Sequence, residues 1–367
     1  MIVKEERLRR KPEEFHNGAN DGLMPLAPLD ISTIADFDEL LAAYSRTAFG
    51  GRSLGEAAQV LEAMVTDPQC TRVGTFSGAM TVAKMGLLIC EMIDRGWLQI
   101  IISTGALMAH GLIEAVGQVH YKHDPGRSDE ELYRLGYNRV YDTLEMEANL
   151  DYAEEVFKHV LDGLDLSQTF SSATLCRELG RYLAETTDQP GILRNAYLKG
   201  VPVFIPAFTD SELGLDVANW MIQRALQAGR TVSEAFTTLS MQFNPFLDLG
   251  MYGQEILQAK KLGIFTIGGG VPRNWAQQVG PFFDILQNRL GIELPFVRFQ
   301  YGVRICPEPV HWGGLSGCTY REGVSWGKFV PEKEGGRFAE VYCDATIAWP
   351  ILIKAVAQRL AKRQPNK

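Results

Sequence analysis

The decapeptide REGVSWGKFV, residues 321–330, sets an amine beside an aromatic ring and within reach of a carboxylate: Lys328 follows Trp326 and Gly327, and Glu322 lies six residues upstream. A lysine amine attacks carbon only when unprotonated, and desolvation beside an apolar ring disfavours its ammonium form. Trp326 offers such a wall, and its face can also hold a cationic amine through a cation–π contact worth about 0.5–2 kcal/mol. Gly327 allows a turn that brings both side chains to one pocket. Glu322 is then the natural partner for a substrate ammonium; on these residues alone, a buried Trp beside a solvated Lys at a strand edge stays open as the plain structural alternative. A second set of candidates ends three β-rich runs: ISTGA (102–106), PAFTDSELG (206–214) and IGGGVPRN (267–274). Small residues after a strand let backbone approach a phosphate, and the next helix N-terminus offers free N–H groups, which suits a dinucleotide. The full GxGxxG fingerprint is absent, so a plain structural turn stays open as the reading of GGG.

The elements that must position these groups alternate. Runs rich in β-formers at 72–76, 98–104, 201–208, 262–270 and 296–302 are separated by stretches of helical periodicity such as MTVAKMGLLICEMIDRG and LDVANWMIQRALQAG. Strands interleaved with helices predict an α/β fold, a Rossmann-like parallel sheet with helices on both faces. Residues 36–64 read as two helices broken at Gly50 and Gly51, and the charged segment 124–165 as a helical insertion on the same sheet. Residues 1–34 mix charge, Pro, Gly and Asn without periodicity and read as an N-terminal arm, leaving 35–367 as a single α/β domain.

Composition narrows the partners. The chain is 46% hydrophobic, enough for a substantial core, and its net charge of −8 lacks the positive footprint that nucleic acid or an anionic membrane requires. Small cationic ligands fit better. Six scattered cysteines form no CxxC pair, which suggests neither a zinc knuckle nor a disulfide framework and points to a reducing, cytoplasmic compartment. The charged N-terminus lacks the apolar core of a signal peptide, and no segment runs ~18 apolar residues.

The segment EGVSWGK (322–328) resembles the active-site signature of the deoxyhypusine synthases, and LGYNRVYDTL (135–144), IPAFTDSELG (205–214), TIGGGVPRN (266–274) and VYCDATIAWPILI (341–353) follow the family's pattern in order. The resemblance covers roughly residues 35–360 and implies NAD as cofactor. It implies that a polyamine is oxidised beside its secondary nitrogen and captured by Lys328 as an imine, and that the aminobutyl group passes to an acceptor amine and is reduced again. By position it also implies cofactor contacts from Ser77, Gly78, Thr81, Thr104, Gly105, Asp210, Gly269 and Asp344. For Asp210 and Asp344 an N-cap role is an equal alternative, and Asp248 is a weaker candidate for the adenosine end. A homotetramer with sites at subunit interfaces is a further implication.

The chain also departs from that pattern. The paired glutamates expected after TGALM fall on Ala109 and His110, the aspartate after SELG on Leu215 with Asp216 one place later, and the histidine after the glycines on Asn274. Trp312 and Leu315 stand where carboxylates are expected, beside His311. A pocket with fewer carboxylates neutralises fewer ammonium groups, so the acceptor is expected to be a small amine rather than a protein lysine. His110 is a candidate proton shuttle, with a packing role as the alternative; Asn274 and Asp216 are candidate substrate contacts. Two other functions remain in play: an NAD-dependent amine dehydrogenase, and a non-catalytic NAD- or polyamine-binding regulator. A metal centre on His120, His123 and Asp124 is set aside, because Pro125 and Gly126 break the helix that ligands at this spacing need.

Overall fold

A computed structural model of the chain describes residues 10–239, 241–314 and 317–363. Asp36 caps helix α1 (Phe37–Tyr44) by accepting from the Glu39 N–H at 3.0 Å, and α2 (Phe49–Thr66) follows. The break precedes Gly50 and Gly51, which lie in the first turn of α2 instead of dividing the helices. Next come β1 (Cys70–Phe76), α3 (Gly86–Asp94), β2 (Ile100–Ser103) and α4 (Gly105–Ala115). They lead into β3 (Tyr121–Lys122), α5 (Asp129–Arg134), β4 (Tyr137–Val140) and β5 (Thr143–Met146). Helices α6 (Glu147–Asp162), α7 (Ser172–Thr186) and α8 (Ile192–Lys199) precede β6 (Val203–Phe204), α9 (Glu212–Gln227), α10 (Val232–Thr237) and α11 (Pro245–Leu257). The remainder is β7 (Lys261–Ile267), α12 (Gly270–Gln277), α13 (Val279–Leu290), β8 (Phe299–Ile305), α14 (Tyr320–Ser325), β9 (Arg337–Val341) and α15 (Ala345–Arg363).

The main sheet is parallel throughout, in the order β6-β2-β1-β7-β8-β9. The chain builds outward from β1 through β2 to β6, then returns to β7 beside β1 and builds the other way. That reversal opens a crevice at the carboxyl ends of β1 and β7, where ligands of doubly wound sheets bind. Phe76 pairs with Ile267, so the Ser77 and Gly268 loops leave the sheet side by side. Alternation sends Val73, Ile100, Ile102, Phe204 and Ile264 into one core with Tyr252, Ala276 and Phe283 of α11, α12 and α13. The opposite set, including Ile101, Phe265, Val303 and Val341, packs with α2, α4 and α15.

The expected fold class holds, and three local expectations change. β8 begins at Phe299 rather than 296, and β9 forms an edge strand that its sequence, RFAEV, did not advertise. The 124–165 segment is not simply helical: β4 and β5 pair antiparallel, and β3 joins β5 to complete a small second sheet. Among the described residues no helix is long and apolar enough to cross a membrane.

Asp248 serves the scaffold. It is 3% exposed and accepts from the Ser172 N–H at 3.1 Å, the Ser172 hydroxyl at 2.7 Å and the Ala173 N–H at 3.0 Å, closing the start of α7 onto α11. Replacing Asp248 by Ala strands buried donors, so we expect a loss of about 2–4 kcal/mol in a urea melt, with Asn recovering part of it.

Candidate active site

A cavity of about 460 Å³ opens where the topology predicts, lined by Ser77, Gly78, Thr104, Gly105, Asp210 and the 268–270 glycines, among others. Gly268 and Gly270 have φ of 79° and 62°, left-handed values that a side chain would strain. The loop therefore presents bare backbone to the cavity, directly ahead of α12. The Thr104 hydroxyl donates to the Gly78 carbonyl at 3.0 Å, locking the first two loops together, and Ser77 Oγ contacts the Gly269 carbonyl. Asp210 stands at the rim with a carboxylate suited to ribose hydroxyls. These groups fit a dinucleotide: bare loop backbone and a helix start for phosphates, a carboxylate for sugar.

Two residues assigned to the cofactor lie elsewhere. Thr81 is fully buried, its hydroxyl donates to the Leu107 carbonyl at 2.9 Å, and it faces a separate cavity with Lys84 and Glu114. Asp344 is outside the lining; its Oδ1 accepts from the Thr346 N–H and hydroxyl, both at 2.6 Å, and so caps α15.

Lys328 reaches the same region through α12. Its Nζ donates to Asn274 Oδ1 at 3.2 Å, and Asn274 lies one turn below the glycine loop. The backbone of Lys328 is pinned from both sides, its N–H donating to the Gly323 carbonyl at 3.0 Å and its carbonyl accepting from the Phe299 N–H at 3.0 Å. Gly327, at φ 69°, makes the turn between α14 and this bridge, and a Cβ there would also stand 3.1 Å from the Arg298 guanidinium. Lys328 is 9% exposed. Burial pushes its amine below the usual lysine range; Arg273 adds to the fall, while Cys318 and Glu322 oppose it.

The indole of Trp326 is not the wall expected. Its centroid is 5.9 Å from Nζ, but the residue is 65% exposed. Next in sequence, Phe329 anchors the segment in the core, meeting Tyr320 edge-on at 5.0 Å and Phe338 at 5.4 Å. Glu322 is exposed, its N–H capped by the Thr319 hydroxyl at 3.0 Å. Trp312 is 71% exposed, His311 is exposed beside it, and Leu315 lies outside the described residues.

The structure places Asp216 apart from Lys328, in a cavity of about 500 Å³ whose wall carries Glu147, Asp151, Glu154 and Glu212. Thr104 and Asp210 of the dinucleotide cavity and Glu212 and Leu215 of this one share an intervening groove. Leu215 is exposed there and Ala109 lines the acidic cavity. Burial, with Glu154 and Glu212 adding, pushes the Asp216 carboxyl up to about 7.

His110, from α4, does not stand free. Its Nδ1 lies 2.5 Å from Glu145 Oε2, and His120 Nε2 lies 3.0 Å from Glu145 Oε1. Burial works to raise the Glu145 carboxyl, but His110 and His120 hold it down to about 2. Lys84 Nζ stands 2.7 Å from the other nitrogen of His120 and donates to Glu114 at 2.8 Å. His123 and Asp124 do not join: the His123 N–H donates to the Asp142 carbonyl, and Asp124 Oδ1 accepts from the Gly126 N–H. Sequence reasoning missed Glu145 and Lys84 entirely.

A model of the deoxyhypusine synthase family matches residues 39–356. The Methanosarcina acetivorans protein named probable deoxyhypusine synthase 2 is 30% identical over 338 residues, 91% of this chain and 90% of its own length. An Elusimicrobium minutum deoxyhypusine synthase-like protein is 30% identical, covering 88% of this chain and 81% of its own. The crystal structure of a protein assigned as a deoxyhypusine synthase from Entamoeba histolytica shares the fold, with a TM-score of 0.56, 13% identity, and coverage of 90% of this chain and 96% of that one. The crevice at the switch point, the buried Lys328 and these matches agree: the chain belongs to the deoxyhypusine synthase family.

Proposed function

We propose that the protein is an NAD-dependent aminoalkyl transferase that moves an aminobutyl-type group from a polyamine to a small acceptor amine through an imine on Lys328. The observation that carries this reading is Lys328 itself: buried, pinned through its backbone, lowered in pKa, and hydrogen-bonded to the helix that begins at the glycine loop. Bound at that loop, NAD supplies a hydride acceptor that later returns the hydride, so no net redox occurs. Lys328 then forms a bond to the oxidised substrate carbon. As the original C–N bond breaks, the Lys328 proton passes to the departing primary amine, and the acceptor amine later displaces Lys328 in the same manner. Asn274 fixes Nζ without supplying a charge, which keeps the amine form accessible. Trp326 and Glu322 receive the cationic substrate, and Asp216 holds an ammonium at the far end of the groove.

A neighbouring copy closes over Trp326 in this reading, within the homotetramer that the family resemblance implies; the exposure of Trp326 and Trp312 in one chain supports a covering partner. The six free cysteines support a cytoplasmic setting. The test is incubation with NAD and a panel of di- and polyamines, reading products by mass and trapping the imine on Lys328 with borohydride. Stoichiometric NADH without transfer would instead reveal a dehydrogenase; neither product nor adduct would leave a binding protein. Glu322→Gln should weaken amine binding by about tenfold, the worth of a charge-assisted hydrogen bond, while NAD titrates as before.

A further inference from the structure

We propose that His110 Nδ1, His120 Nε2 and Glu145 form a binding site for a divalent transition-metal ion of the zinc class. The three groups come from different elements: His110 from the middle of α4, His120 from the residue before β3, and Glu145 from β5. Their ligand atoms lie within 4.8 Å of one another. Both side chains on the inner side are sealed, His120 at 0% and Glu145 at 1% exposure, while His110 keeps 11%. Yet none of His110 Nδ1, His120 Nε2 and Glu145 Oε1 completes a hydrogen bond, although the two rings approach the carboxylate at 2.5 and 3.0 Å. Buried polar atoms that converge without bonding call for something between them. An ion satisfies all three at once.

Two imidazoles and one carboxylate match the His₂Glu ligand set of zinc sites that keep a fourth position for water. Tetrahedral coordination at about 2.0–2.1 Å asks for ligand separations near 3.4 Å. The observed 2.5 and 3.0 Å contacts must therefore open by less than an ångström. The second sheet positions two of the three ligands, Glu145 within β5 and His120 immediately before β3. Asn149 steadies it by donating to the Val119 carbonyl at 3.0 Å, beside His120.

Lys84 competes with the ion. An ammonium 2.7 Å from His120 Nδ1 favours that nitrogen as an acceptor and so places the ring proton on Nε2, the ligand atom. Metal binding at Nε2 moves the proton to Nδ1, and Lys84 must then withdraw to Glu114, which it already contacts at 2.8 Å. The proposal assigns His110 to a metal rather than to proton shuttling, and it stands or falls independently of the transferase reading.

The test uses the full-length, tag-free protein, stripped with chelator and titrated with Co²⁺, reading visible absorption, with Zn²⁺ as competitor. One Co²⁺ per chain is expected, with the intense bands of low coordination that Zn²⁺ abolishes. The His120→Asn, Glu145→Gln double variant should bind at least tenfold more weakly. Uptake equal to wild type in that variant marks adventitious binding and overturns the proposal, as does absence of uptake by wild type. Because losing buried Glu145 can unfold the chain, Lys84→Met gives a second measure at a half-exposed position. It should tighten Co²⁺ binding severalfold, and unchanged or weaker binding would show the cluster to be an ordinary ion-paired dyad.

Discussion

Lys328→Ala should abolish aminoalkyl transfer, by roughly 10³-fold or more, while leaving NAD affinity within a factor of two, since the loss of a covalent nucleophile removes a whole step. The glycine loop and Asp210 form their cavity without Lys328, so cofactor binding and chemistry separate in this one variant. Lys328→Arg should fail equally, because a guanidinium does not give up its proton. The pH dependence has a definite sign. Burial lowers the Lys328 pKa, so the neutral fraction, and with it imine formation, rises to its plateau at lower pH than an exposed lysine would allow. Single-turnover transfer measured against pH reads this limb directly. Wild-type transfer by Lys328→Ala would remove Lys328 from the mechanism altogether.

What was readable in the sequence followed from spacing along one element or one loop. The strand-ending loops ISTGA, FTDSELG and IGGG lie at the switch point because small residues after a strand serve the same purpose in any doubly wound sheet. Ser-Trp-Gly-Lys was readable because it stands in a series of segments that follow the family's pattern in order; turn, ring and amine within four residues do not by themselves distinguish a site from a strand edge. The departures share a cause as well. Thr81 and Asp344 were carried to the cofactor by position in the family pattern, with an N-cap role the equal alternative for Asp344, and Asp248 was a weaker candidate; hydroxyls and carboxylates are equally good partners for backbone N–H and carbonyl groups, and all three make such bonds in the structure. Trp326 was read as a shield from its type, yet it is 65% exposed while Lys328 is 9% exposed, a difference that only packing reveals. The His110, His120 and Glu145 cluster was beyond reach of spacing because it depends on β3 and β5, strands of two and four residues whose pairing no local periodicity announces.

Asp216→Asn is expected to stabilise the protein and weaken it as an amine binder. The folded carboxyl sits at about 7 against an ordinary 3.8, with burial as the main cause and Glu154 and Glu212 adding to it. A raised carboxyl pKa means the folded state binds the proton more tightly than the unfolded one. Well below the ordinary 3.8 both states are protonated and Asp216 costs nothing. As pH rises toward 7 the unfolded chain ionises first, and the penalty grows until it is complete above the folded pKa. The shift allows a few kcal/mol, and partial contact with water reduces this to about 1–2 kcal/mol. Urea melts should therefore show Asp216→Asn more stable than wild type at pH 8, with most of that difference gone at pH 4. A bound ammonium reverses the balance, because it favours the ionised carboxylate and recovers the penalty as binding energy; the variant should lose about tenfold in polyamine affinity at pH 8. A gain in stability with unchanged affinity would place the substrate ammonium elsewhere, while equal stability at both pH values would mean that Asp216 is solvated and that the acidic cavity is only an exposed face. The two measurements together decide whether the cavity keeps its carboxylates crowded for a cation, since crowding without a ligand to relieve it has no stabilising return.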